Sequence, residues 1–142
     1  MIKIYTVVAC SSCKKAKEWL ESHRMEYQEV NLLTDTISKE DFLEILSLTE
    51  GGTEDIISKR SRAYHRLNID FENIMLNDLI EVMDENRTLL RRPLIVDDKR
   101  LQVGYNEDEI RKFLPREIRQ VEIKVATERV REYELEQLKN EG

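Results

Sequence analysis

The pair Cys10-Ser11-Ser12-Cys13 constrains this chain more than any other feature, because of what flanks it. Ile2-Lys3-Ile4-Tyr5-Thr6-Val7-Val8 is dense in β-branched and aromatic side chains, which predicts a strand buried on at least one face. Beyond Cys13, the residues Ala16, Trp19, Leu20 and His23 recur at three- and four-residue spacing with lysines opposite, the pattern of an amphipathic helix. The cysteines therefore fall at a strand-to-helix turn. There the exposed amide hydrogens and positive end of the helix favour a thiolate, so Cys10 is expected to be the more acidic thiol, with Lys14 adding positive charge nearby. Cys13, deeper in the helix, is placed as the resolving partner in a small disulfide ring.

Two other uses of the pair stand beside redox chemistry. A structural zinc site needs four ligands, and only His23 and His65 remain, neither at finger spacing; no metal or organic cofactor is expected. Alternatively both cysteines are inert and buried, as cysteines often are. Two cysteines in 142 residues are too few for a secreted disulfide scaffold. No apolar run approaches the roughly 18 residues that cross a bilayer, and Met1 to Val8 lacks a basic leader, so a cytoplasmic location without membrane contact is expected. A formal net charge of -6 argues against tight binding to nucleic acid by bulk electrostatics. Any DNA contact must be local or arranged by a partner.

Further along, Glu26 to Leu33 alternates as a second strand, completing a β-α-β unit whose crossover favours parallel pairing. Ser38 with Asp41 three residues on reads as a capping box for a helix carrying Phe42, Leu43, Ile45, Leu46 and Leu48 and stopping at Gly51-Gly52. Thr53 is expected to cap a second helix running to Asn68, with Ile56, Ile57, Tyr64 and Leu67 inward and Lys59, Arg60, Arg62 and Arg66 outward. Asn77 is expected to open a third, fading at Glu85-Asn86. Arg92 to Val96 and Lys99 to Val103 read as an antiparallel hairpin about Asp97-Asp98, and Asn106 to Glu109 as the cap of a short helix before Pro115. The order βαβ, helices, ββα describes an α/β fold: a thioredoxin-like core over residues 1–119 with a helical insert at about 38–87. Residues 120–142, dense in Glu, Lys and Arg, read as a partly helical, exposed tail.

Several stretches together carry a resemblance: Ile4-Tyr5, the cysteine pair, Glu50-Gly51-Gly52-Thr53, Ile56-Ile57-Ser58, Leu90-Arg91-Arg92-Pro93, and Arg100-Leu101-Gln102-Val103-Gly104-Tyr105-Asn106-Glu107-Asp108-Glu109-Ile110. From about residue 1 to 119 the chain resembles the Spx proteins, within the wider arsenate reductase (ArsC)-like family. The resemblance implies a thioredoxin-like regulator, not an enzyme, that binds the carboxy-terminal domain of the RNA polymerase α subunit and redirects transcription under thiol stress. It implies Cys10 and Cys13 as the redox switch, Gly52 in the surface facing the α subunit, and Arg92 as the residue responding to the cysteines or holding an anion. Arg60 and Arg62 would be candidates for contact with promoter DNA once polymerase holds the protein in place. The protease ClpXP is implied as a further partner, acting in the family through an apolar carboxy-terminal end, whereas Leu138 to Gly142 here is charged.

Each of these positions also has a plainer reading. Gly52 fits a helix stop at positive φ, with Gly51 as the cap and Gly52 as the contact if both roles are filled. Arg92 fits a surface arginine before a strand, and the Arg92-Pro93 bond is a candidate for the cis form. Arg60 and Arg62 fit a solvated helix face. Arsenate reductases of the family use one cysteine and several arginines, usually with a histidine and proline just before the cysteine. This chain has Thr6-Val7-Val8-Ala9 there, Cys13 three residues on, and Gly104-Tyr105-Asn106 where a late arginine is expected. A small thiol-dependent reductase, acting on arsenate or disulfides, remains the enzymatic alternative.

Overall fold

The structure, a computed structural model, describes Met1 to Glu141; Gly142, the last residue of the expected tail, lies outside the described residues. Strand β1 (Ile2–Thr6) runs through the middle of a four-stranded sheet ordered β2-β1-β3-β4, with β2 at Tyr27–Asn31, β3 at Leu94–Val96 and β4 at Leu101–Val103. β1 and β2 are parallel, with Ile2 opposite Tyr27 and Thr6 opposite Asn31, because helix α1 (Ser11–Ser22) supplies the crossover between them. β1 and β3 are antiparallel, as are β3 and β4, which form the expected hairpin. With α1 crossing between its parallel strands and the insert packed against Tyr5, Leu94 and Val96, the sheet has the mixed α/β architecture of a thioredoxin-like fold.

The insert carries α2 (Lys39–Ser47), α3 (Arg62–Leu67) and α4 (Leu76–Glu85). Ser38 and Asp41 make the anticipated reciprocal capping box at the start of α2. Three expectations are corrected. Helix α2 stops at Leu48 rather than at the glycines, and Thr49 Oγ1 takes up the carbonyl of Leu46 beyond its end. The single helix expected over Thr53 to Asn68 is interrupted: Gly52–Asp55 form one 3-10 turn, Ile57 bridges to Leu90, and α3 starts afresh with Ser61 as its cap. Pairing wins because Ile56 and Ile57 are buried while the Ile56 carbonyl accepts from the N–H of Arg91 and the N–H of Ser58 donates to the Leu89 carbonyl, bonds a continuous helix would forgo. Helix α4 begins one residue early, at Leu76 rather than Asn77, with Met75 at its cap.

A single cluster containing Tyr5, Leu32, Phe42, Ile45, Ile56, Met83, Leu89 and Leu94 joins the sheet to the insert. Each of these fully buried side chains contributes about 1.5 to 3 kcal/mol relative to exposure. The described chain forms two compact units, Met1 to Asn106 and the segment from Glu107 onward. In the second, residues Glu109–Phe113 form a 3-10 segment without a side-chain cap, not the capped helix expected, and α5 (Arg116–Glu141) is helical throughout rather than in part. No helix among the described residues is long and apolar enough to cross a membrane.

Candidate redox site at the start of the first helix

The central strand delivers the chain to the cysteines. Beyond Thr6, Ala9 takes a left-handed conformation at φ 61, and Cys10 returns to extended backbone as the cap of α1. A non-glycine residue at positive φ is uncommon, and here it makes the turn that sets Cys10 at the helix end. The backbone N–H of Cys13 donates to Cys10 Sγ at 3.2 Å, the bond a serine or aspartate cap would ordinarily accept. Both cysteines are free thiols, Cys10 half-buried and Cys13 buried.

Burial pushes the Cys13 thiol up to about 12, and its hydrogen bond with Cys10 acts in the same direction. The Val7 amide and the charge of Arg92 oppose this without overcoming it. Cys13 is therefore a protonated thiol at physiological pH, and the sulfur open to reagents is that of Cys10.

Cys10 faces a cleft of about 640 Å³ lined by residues including Val7, Ser11, Lys14, Lys17, Glu29 and Asn31. Glu29 sits in its wall, receiving Thr6 Oγ1 at 2.8 Å and Lys17 Nζ at 3.1 Å on the same oxygen. The Thr6 hydroxyl, with help from Lys17, holds the Glu29 carboxyl below its usual range, so the wall carries a negative charge at neutral pH. Lys17 is paired with that carboxylate. A carboxylate beside Cys10 and one lysine spent on it make a poor oxyanion cradle.

Arg92 belongs to the same end of the sheet. Extending the register of Ile4–Ile95 and Tyr5–Leu94 brings Arg92 level with Val7. Arg92 is exposed, and the Arg92-Pro93 bond is cis. Gly52, Arg60 and Arg62 lie elsewhere, on the insert and outside the cleft lining. Gly52 is exposed at φ +74, and a Cβ there would meet nothing within 4 Å, so the glycine is needed for backbone conformation and not for room. Arg60 is in the turn before α3 rather than on a helix, and Arg62 is the first residue of α3; both are exposed. Among the described residues no three His, Cys, Asp or Glu side chains are grouped to hold a metal.

Sequence reasoning missed Thr6, Lys17 and Glu29 in the cleft, and Asp55 and Arg91 near Gly52. The β1–β2 register brings Thr6 and Glu29 together and α1 adds Lys17, and neither periodicity nor motif signals a contact across 23 residues such as Thr6 to Glu29.

The model of the ArsC family matches residues 5–113. The chain is 53% identical over 123 residues to the global transcriptional regulator Spx of Lactiplantibacillus plantarum, spanning 87% of this chain and 93% of that one. It is 48% identical over 126 residues to the protein of the same name from Enterococcus faecalis, 89% and 96% of the two chains. Among solved structures, an arsenate reductase from Vibrio cholerae superimposes with a TM-score of 0.67 at 22% identity, covering 80% of this chain and 97% of that one. A Staphylococcus aureus protein solved by solution NMR gives 0.67 at 23% identity, covering 79% and 97%. These two likenesses speak for the fold. The chain belongs to the ArsC family, and within it to the Spx proteins.

Proposed function

We propose that this protein is a cytoplasmic redox-sensing transcription regulator that binds the carboxy-terminal domain of the RNA polymerase α subunit, with Cys10 and Cys13 as its switch. The reading is carried by about half identity to proteins named as transcriptional regulators over nearly their whole length, together with a buried thiol directly behind a reachable one. Gly52 is the proposed docking point, and the exposed Arg60 and Arg62 are the groups offered to promoter DNA once polymerase holds the protein. ClpXP is the proposed route of turnover.

The switch runs in two balanced steps. The Cys10 thiolate attacks a peroxide oxygen, the O–O bond breaks, and Cys10 becomes a sulfenic acid as alkoxide or hydroxide leaves and takes up a proton. Cys13 sulfur then attacks that of Cys10; the S–S bond forms, and the Cys13 proton departs with the sulfenic hydroxyl as water. Closing this ring removes the buried thiol and changes the acceptor that caps α1. A tenfold change in partner affinity requires only about 1.4 kcal/mol, within reach of one local rearrangement.

Transcription reconstituted with purified polymerase on a thiol-stress promoter tests this. Activation that depends on the protein, and that loses its redox dependence in Cys10→Ala and Cys13→Ala, is expected. Equal activation by parent and variants under reducing and oxidising conditions removes the switch and leaves the binding role. Catalytic turnover of arsenate or a disulfide, with no effect on transcription, establishes the reductase instead.

A further inference from the structure

The Gly51-Gly52 turn is not held by its own helix. The carboxylate of Asp55 accepts the backbone N–H of Glu50 at 2.9 Å and of Gly51 at 2.8 Å, both on Oδ2. A Cβ on Gly51 would stand 2.8 Å from the other carboxylate oxygen, so the glycine is required for Asp55 to come this close. The carbonyl of Asp55 accepts in turn from Arg91 at 3.3 Å, and the Arg91 N–H donates to the carbonyl of Ile56 at 2.8 Å. Ser58 N–H closes the same short ladder on Leu89 at 2.6 Å, around the Ile57–Leu90 bridge. The next residue along the chain is Arg92, which the sheet register sets level with Val7, itself three residues before Cys10.

We propose that Asp55 and Arg91 are positioning residues that fix the Gly51-Gly52 turn and carry the state of the cysteine pair to it, through the ladder joining Ile56–Ser58 to Leu89–Arg91. The inference rests on the regulator reading above and names the regulation of its docking point. Two physical facts make the connection directional. Asp55 binds two amides of the turn with one charged oxygen, so the turn follows wherever Asp55 goes. Arg91 grips Asp55 and Ile56 from both backbone and side chain, so a shift of the Arg91-Arg92 segment reaches Asp55 without passing through the core. The bonds of Arg91 run to the carbonyls of Asp55 and Ile56 rather than to the thiols, so it can alter the coupling without altering the chemistry.

The test measures amide exchange of Glu50 and Gly51 by NMR in the reduced and oxidised protein, alongside titration of the α-subunit domain. Oxidation is expected to change exchange at both amides by about fivefold or more, the lower end of ordinary coupling between sites. Arg91→Ala is expected to abolish that change and the redox dependence of binding while disulfide formation proceeds as in the parent. Asp55→Ala is expected to raise exchange at both amides in both states; Asp55→Asn, which keeps an acceptor in place, is expected to restore most of the protection if the fold of the alanine variant is in question. Unchanged exchange on oxidation of the parent, or an Arg91→Ala variant as responsive as the parent, overturns the inference. Failure of the α-subunit domain to bind, with the exchange response present, overturns the regulator reading alone.

Discussion

The backbone N–H of Cys13 donates to Cys10 Sγ at 3.2 Å, so one sulfur both caps the first helix and stands open to oxidants. Helix stability and redox chemistry therefore share an atom. In reduced protein, Cys10→Ala is expected to lower stability by about 1 kcal/mol through loss of the cap, while Cys10→Ser, a good cap, stays within about 0.5 kcal/mol of the parent. Urea denaturation under reducing conditions separates them, although neither variant can form the disulfide.

Reactivity of the two thiols is expected to differ strongly. Burial raises Cys13 to about 12, so at pH 7.5 its thiolate is scarce and shielded. Iodoacetamide should modify the Cys13→Ser variant, which retains Cys10, at least about tenfold faster than the Cys10→Ser variant. Mass spectrometry of timed samples gives both rates.

The same shift carries a pH dependence with a definite sign. Cys13 is raised in the fold, so the unfolded chain ionises first, near 9, and the folded protein near 12. Its contribution is fully present below pH 9 and declines as the pH rises towards 12. Thermal denaturation of the reduced protein across this window should show a steeper loss of stability than Cys13→Ala; parallel profiles would refute the assignment. Tyr27, also raised to about 12, contributes equally to both proteins and cancels in the difference.

Arg87 is the strut of the insert. Its guanidinium donates to the carbonyls of Leu32 at 3.0 Å and Asp35 at 3.1 Å, pairs with Asp84, and lies over the ring of Phe42. Arg87→Ala is expected to cost about 1.5 to 3 kcal/mol, the range for hydrogen bonds to a charged group, and Arg87→Lys to recover little because an ammonium cannot span the same fork. Equilibrium unfolding of both variants checks this.

Gly52 sets a limit on how its variants are read. At φ +74, Gly52→Ala is expected to cost about 1 to 2 kcal/mol from backbone conformation alone, and Gly52→Asn less, since asparagine tolerates the left-handed region. Denaturation midpoints of the two variants give the strain that any binding experiment at this position must subtract.

The strands, α1 and the capping box at Ser38 were legible in the sequence because each rests on local periodicity or on a cap three residues from its partner. So was the placing of the cysteines at a helix start. The break within the expected Thr53 to Asn68 helix was not, since Ile56, Ile57, Tyr64 and Leu67 satisfy helical spacing and only Leu89 to Arg91, some thirty residues on, offers the pairing that wins. Glu29 escaped for the same reason: its place beside Cys10 follows from β2 lying against β1, not from any residue near it in the chain. Gly52 fits the sequence pattern of a helix stop, yet the helix ends at Leu48 and the glycine serves a separate turn held by Asp55.

Calorimetric titration of the RNA polymerase α carboxy-terminal domain with reduced and oxidised protein, with Gly52→Arg and Gly52→Asn alongside, tests the central claim most directly. Saturable binding that differs between the redox states is expected, at least about tenfold weaker for Gly52→Arg and less affected in Gly52→Asn. Absence of binding in both states, or binding indifferent to arginine at position 52 and to oxidation, would contradict it.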